Sequence, residues 1–197
     1  MKSKSVNLWP IQCFIIELPP KLRYCFAYIL VCGLLWCPEK SNLNIFQERF
    51  VSELEQTQNF QVQIEVDSVN IVIERINLHG HLADLVSKAP YLCFCQFSGK
   101  NECSVCLHPR ERVQQRRGSI HIYPYKNQEP PCWTHAQTLL HARTAERTKK
   151  AVFGVKGVSS LPRVLKVPSQ VLLNYMHLVL MGEFLRRLNI WINNQSD

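Results

Sequence analysis

The stretch NIVIERINLHGHLADLVSKAPYLCFCQFSGKNECSVCLHP, residues 70–109, decides how the rest of the chain is read. Its first half is apolar and rich in β-branched residues, which predicts a strand over Asn70–Leu82 ending in a lone carboxylate, Asp84. About twenty residues later Cys103 and Cys106 form a C-x-x-C pair. Two thiolates at this spacing can share one tetrahedral zinc ion, with sulfurs about 3.8 Å apart when each Zn–S bond is about 2.3 Å. The competing reading is a solvated loop aspartate and two reduced thiols in a cysteine-rich chain.

Upstream, Asn7–Leu18 (NLWPIQCFIIEL) is a short apolar strand closed by Pro19-Pro20. Arg23–Trp36 is a second strand, apolar on both faces and therefore expected at the centre of its sheet. Pro38 and Ser41-Asn42 break it, and Asn44 is the expected N-cap of a helix to about Thr57. That helix places Phe46, Phe50, Val51 and Leu54 on one face. Alternation of Val62, Ile64 and Val66 with polar residues predicts a half-buried strand, and Asp67-Ser68 a turn.

Downstream of Asp84, regularity is expected to fail for some fifty residues, with 100–131, rich in Gly, Pro, Arg and Cys, forming a loop held by metal. Thr134 and Gln137 form a capping-box pattern for a helix to about Lys149. Gly154, Gly157 and Pro162 mark a loop. A last helix is expected from near Pro168 to Trp191, with Leu172, Met176, Leu180, Phe184 and Leu188 forming a core or interface stripe. The order of elements predicts an α/β domain with a mixed sheet.

The 197 residues are 46% hydrophobic and 19% charged, a globular composition. The net charge of +8 calls for a polyanionic partner, nucleic acid before membrane. Residues 107–150 hold nine Lys/Arg against three acids, hence +6 of that charge. Arg110, Arg112, Arg116, Arg117, Lys149 and Lys150 are the candidate phosphate contacts; a plain solvated surface is the alternative. Nine cysteines, an odd and irregular set with Cys25, Cys32, Cys93 and Cys95 inside apolar runs, point to a reducing, intracellular compartment. Lys2 and Lys4 are not followed by an apolar run, so no signal peptide is expected. Tyr24–Trp36 is too short to span a bilayer, which takes about 20 residues. No P-loop, G-x-S-x-G or H-E-x-x-H is present, and no small-molecule substrate is indicated.

The C-x-x-C pair needs two further ligands, and His108, His121, His135, His141 and His177 are the candidates. His135 and His141, six residues apart on one expected helix, face different ways and would not share an ion. A single carboxylate, Asp84, does not suffice for two-metal phosphoryl chemistry, which uses several acids around a pair of Mg²⁺ ions.

In order along the chain, several motifs resemble those of CACTA (En/Spm) type DNA transposases. Leu8-Trp9-Pro10-Ile11 with Glu17-Leu18-Pro19-Pro20 is similar to the family's W-P-I…L-P-P strand. Gly33-Leu34-Leu35-Trp36, Asn44-Ile45-Phe46 and Glu53-Leu54 resemble its G-L-W…F…E-L segment. Asp84-Leu85-Val86-Ser87-Lys88-Ala89 resembles D-L-P-A-K-A, and Cys103–Pro109 resembles C-x-x-C-L-H-P. Tyr123-Pro124 and Thr134-His135-Ala136-Gln137-Thr138 are similar to Y-P…R-T-H-E-Q-T, and Asn174-Tyr175-Met176-His177 stands where the family has D-x-M-H.

The resemblance implies an RNase H-like DDE fold in which three acids hold two Mg²⁺ ions for in-line attack on a phosphodiester. Asp84 would be the second acid. Cys103, Cys106 and His177 would be structural zinc ligands, with His135 the candidate for the fourth. The division expected is a partial RNase H-like core over 1–99, a mixed sheet lacking its first strand, and a helical zinc-knuckle insertion over 100–197. The sequence departs from the family: no D-G strand precedes Trp9, no glutamate follows the last helix, Asn174 replaces an aspartate, and Val86-Ser87 replaces Pro-Ala. The expectation is therefore an inactive, transposase-derived polypeptide that retains DNA-binding character, with Mg²⁺ relevant only were the missing acids restored. The alternative is a domesticated zinc-stabilised module binding DNA or protein. Either reading places it in the nucleus or cytoplasm, neither secreted nor membrane-spanning.

Overall fold

A computed structural model describes residues 7–37, 42–57, 61–66, 68–73, 75–96, 101, 103–116, 118–125 and 127–194. Arg117, Pro38, Ser41, Asp67 and Lys126 lie outside this set. The architecture is mixed α/β, with four two-stranded sheets and several helices.

Strands β1 (Asn7–Phe14) and β2 (Ile29–Cys37) pair antiparallel, from Asn7↔Cys37 to Phe14↔Ile29. The expected strand from Arg23 starts instead at Ile29. Arg23 donates through its guanidinium to the carbonyls of Ile16 and Leu18, and the chain coils through α1 (Pro20–Arg23) and a 3-10 turn at Phe26–Tyr28 before it can extend. Nor is β2 central among the described strands, since it pairs only with β1. Its outer face exposes Leu34 and Trp36, while Ile11 is buried and Trp9 and Leu35 pack on the core. A β-bulge between Ile11 and Gln12 leaves Cys32 without a cross-strand partner, re-aiming its side chain towards Cys13.

Helix α2 (Leu43–Thr57) buries Leu43, Gln47 and Val51. Its capping side chain is Asn42, whose Oδ1 accepts from Asn44 N–H at 3.1 Å. Asn44 is instead inside the first turn and reaches across to the 158–160 loop. The expected strand over residues 70–82 divides in two because its halves have different partners. β4 (Val69–Ile73) folds back on β3 (Val62–Val66), and β5 (His81–Ala83) runs parallel to β8 (Val171–Leu173). The β3–β4 hairpin is exposed rather than half-buried, with Ile64, Ile71 and Val72 open to solvent.

Two further corrections follow the same logic. The stretch after Asp84 is ordered: α3 (Leu85–Tyr91) starts at once, and β6 (Glu111–Gln115) with β7 (Gly118–Ile122) forms a tight hairpin. The last helix does not begin at Pro168, because His81 N–H donates to Gln170 O and Asn174 N–H to Ala83 O, which draw residues 170–174 into a ladder with β5. Helical geometry starts at Met176, π-helical to Phe184 and continuing as α5 (Leu185–Asn194). Its expected apolar stripe does not enter the core: Leu172, Met176, Leu180 and Phe184 are each about half exposed. Of the cysteines expected to be buried, Cys25 and Cys32 are exposed, and Cys93 and Cys95 are partly exposed.

Helix α4 (His135–Thr148) has the expected capping box: Thr134 Oγ1 accepts from Gln137 N–H, and Gln137 Oε1 accepts from Thr134 N–H. The core gathers Val51 of α2, Ala83 of β5, Ala89 and Tyr91 of α3, Phe94, Trp133, Ala142 of α4, Val155, Leu161, Leu165, Val167 and Val171 of β8. It draws on both sides of residue 99. Gln47 knots it together, its Nε2 donating to Asn44 Oδ1, Tyr91 O and Ser159 Oγ. No described helix is long and apolar enough to cross a membrane.

Candidate functional site

Asp84 stands at the carboxyl end of β5, next to Asn174 at the carboxyl end of the parallel strand β8. Crevices at such strand ends are where open α/β sheets bind ligands. Each of the two side chains caps a helix. Asp84 Oδ1 accepts from Ser87 N–H and Ser87 Oγ at 2.5 Å each, fixing the start of α3. Asn174 Oδ1 accepts from Met176 N–H at 3.0 Å and His177 N–H at 3.4 Å. One Asp84 oxygen is therefore committed to structure. Among the described residues no group of three His, Cys, Asp or Glu side chains, at Asp84 or elsewhere, is placed to hold a metal ion. The described residues do not fit a Mg²⁺ pair.

Behind this edge the environment is apolar. His81 on β5 meets Tyr91 edge to face at 4.7 Å, and its buried Nε2 has no partner among the described residues. Burial pushes the imidazole down to about 4. Burial also raises the Tyr91 phenol, with the Asp84 charge adding to the effect. Lys88 is buried, and loss of solvent lowers its ammonium against the opposing influence of Cys103.

The structure brings the two cysteines of the C-x-x-C pair together. Cys103 Sγ and Cys106 Sγ lie 3.4 Å apart, and Cys106 N–H donates to Cys103 Sγ at 3.3 Å. That separation is close to what a shared tetrahedral ion requires. Loss of solvent raises the Cys106 thiol, with Cys103 beside it contributing in the same direction. The loop is stitched to the segment before α4 by Leu107 N–H to Pro131 O, Trp133 N–H to Val105 O and Trp133 Nε1 to Cys103 O. This brings Cys132 opposite Cys106 in a β-bridge. Sequence reasoning missed Cys132, although Cys132-Trp133-Thr134-His135 is itself a C-x-x-H spacing. Neither expected histidine joins the cysteines. His135 Nδ1 accepts Val167 N–H at 3.1 Å, so the ring's proton sits on Nε2, the nitrogen that would bind metal. His177 is exposed on the last helix.

The basic residues fall on two elements. Arg110, Arg112 and Arg116 belong to the β6–β7 hairpin and its base, and Lys149 and Lys150 end α4, with Lys149 in the left-handed region at φ 54°. Arg117 is not among the described residues. Tyr123 receives Arg110 over its ring at 5.3 Å and His108 edge-on at 5.5 Å, which clamps the foot of the hairpin. A shallow depression of about 550 Å³ lies beside this clamp, lined by His108, Pro109 and residues 127–131.

Compared with known proteins, the chain matches no family model, no curated protein and no solved structure.

Proposed function

We propose that this chain derives from a CACTA-type DNA transposase and acts as a nucleic-acid-binding polypeptide that does not itself cut or join DNA. The observation that carries the reading is the ordered set of motifs, with Asp84 at the end of a parallel strand and the C-x-x-C thiols 3.4 Å apart where the resemblance expects a knuckle. An RNase H-like core is the finer fold this reading implies. The parallel β5–β8 pair supports it; the rest of such a sheet is part of the proposal.

Zinc is the second element of the proposal. Cys103 and Cys106 supply two thiolates 3.4 Å apart, and Cys132 faces Cys106 across a β-bridge; among the described residues no three donors already stand in ligating positions, so binding an ion would draw Cys132 in. Zinc would tie the hairpin-bearing loop to the start of α4, a structural task that these residues otherwise share with Trp133. A second reading, a module that binds protein, is favoured by the last helix, where Met181, Phe184, Leu185 and Trp191 are exposed.

The test is binding of the full chain to labelled DNA across a salt series. Phosphate contacts predict a logarithmic slope of about −0.9 per neutralised phosphate for duplex DNA. Affinity independent of salt refutes nucleic-acid binding. Nicking of DNA with Mg²⁺ or Mn²⁺ that is abolished by Asp84→Ala refutes the non-catalytic assignment.

A further inference from the structure

The β6–β7 hairpin sorts its side chains by chemistry. The register pairs Arg112 with His121 and Gln114 with Ser119, so these four share one face. The other face takes Glu111, Val113, Gln115, Gly118, Ile120 and Ile122. The hairpin's carboxylate is thus kept off the face that carries Arg, Gln, Ser and His. Arg112 Nε donates to Ser119 Oγ at 2.6 Å, laying the guanidinium across both strands while its terminal N–H groups have no partner among the described residues. Arg112, Gln114 and His121 are all exposed. Gly118 opens β7 at φ 99°, and Arg110 and His108 pack on the Tyr123 ring at the foot of the hairpin.

We infer that this face is a base-reading ribbon that enters the major groove of double-stranded DNA. The inference rests on the nucleic-acid-binding reading above and assigns its partner and its mode. A two-stranded ribbon fits a major groove about 12 Å wide. Five-residue strands extend roughly 17 Å, about five base-pair steps. The deep, narrow major groove of duplex RNA does not admit side chains in this way. Arg pairs with the O6 and N7 of guanine and Gln with the N6 and N7 of adenine, both on the major-groove edge. Positive charge at Arg110 and Arg116, at the two ends of β6, complements the flanking phosphates.

The full chain is tested by fluorescence anisotropy on a 20-base-pair DNA duplex, the same sequence as single strand, and the same sequence as duplex RNA. The duplex DNA is also used after methylation of guanine N7. Duplex DNA is expected to bind tightest, N7 methylation to weaken it, and R112A/Q114A to lose about tenfold or more. His121→Ala, which leaves the Arg112–Ser119 bond intact, is expected to weaken binding to native DNA with an unchanged melting temperature. Lys149→Ala with Lys150→Ala is expected to lower the salt slope and leave the N7 effect in place. Salt-dependent duplex binding that ignores N7 methylation and both hairpin variants overturns the ribbon and leaves nucleic-acid binding standing. Tighter binding to single-stranded DNA or duplex RNA overturns it in the same way. Absence of binding to all three overturns both.

Discussion

His81 makes the stability of this fold sensitive to mild acid. Its ring lies against Tyr91 with Nε2 buried and without a partner among the described residues, and burial lowers its pKa from 6.5 to about 4. Between those values the unfolded chain holds a proton that the folded chain refuses. Stability is therefore full above about pH 6.5 and falls as pH drops towards 4, below which the loss is complete. The whole shift corresponds to about 3 kcal/mol, and at pH 5 about 2 kcal/mol is already gone. For a urea slope of about 2 kcal/mol/M this moves the unfolding midpoint down by about 1 M between pH 7 and pH 5. Urea titrations at both values, run on the native chain and on His81→Phe, read it directly. The phenyl ring keeps the edge-on contact and has nothing to protonate, so the variant is expected to lose about 1 M less. An equal loss in both would show that His81 is not the acid-sensitive group.

Gly154→Ala is expected to cost more than about 2 kcal/mol in thermal unfolding, because residue 154 sits at φ 86° and an added Cβ would fall 1.8 Å from Asn101 O. Gln47→Glu replaces a donating amide that faces Tyr91 O and Asn44 Oδ1, so it is expected to destabilise by about 2 kcal/mol or more at pH 7 and to recover partly in acid, as followed by urea unfolding. Asp84→Ala removes the α3 cap and is expected to cost about 1 kcal/mol, whereas Asp84→Asn keeps most of it; equal losses would place the role of Asp84 in its charge. Under the zinc proposal, elemental analysis of the purified chain should give one equivalent, lost with Cys103→Ser and reduced with Cys132→Ser; a zinc-free native chain rules the knuckle out.

Local signals were legible wherever the chain satisfies itself within a few residues. The capping box at Thr134 and Gln137 and the closeness of Cys103 and Cys106 depend on spacings of three residues, and each appears at its expected position. Errors arose where apolar runs had two possible partners. The 70–82 run looks continuous by pattern, yet its first part folds back on the neighbouring β3 while its end pairs with β8, 90 residues further on. The run after Pro168 has good helical spacing, but three of its residues gain more by completing the ladder on β5.

The candidate site divides in the same way. The sequence by itself determined the charge, the C-x-x-C pair and the lone acid, because these are properties of residue identity and short spacing. Only the tertiary structure decided that Cys132 faces Cys106, that His135 spends a ring nitrogen on Val167 N–H, and that Arg112, Gln114, Ser119 and His121 share one face. Those are pairings between distant segments or across a turn, set by backbone hydrogen bonds whose register the linear order of side chains does not encode.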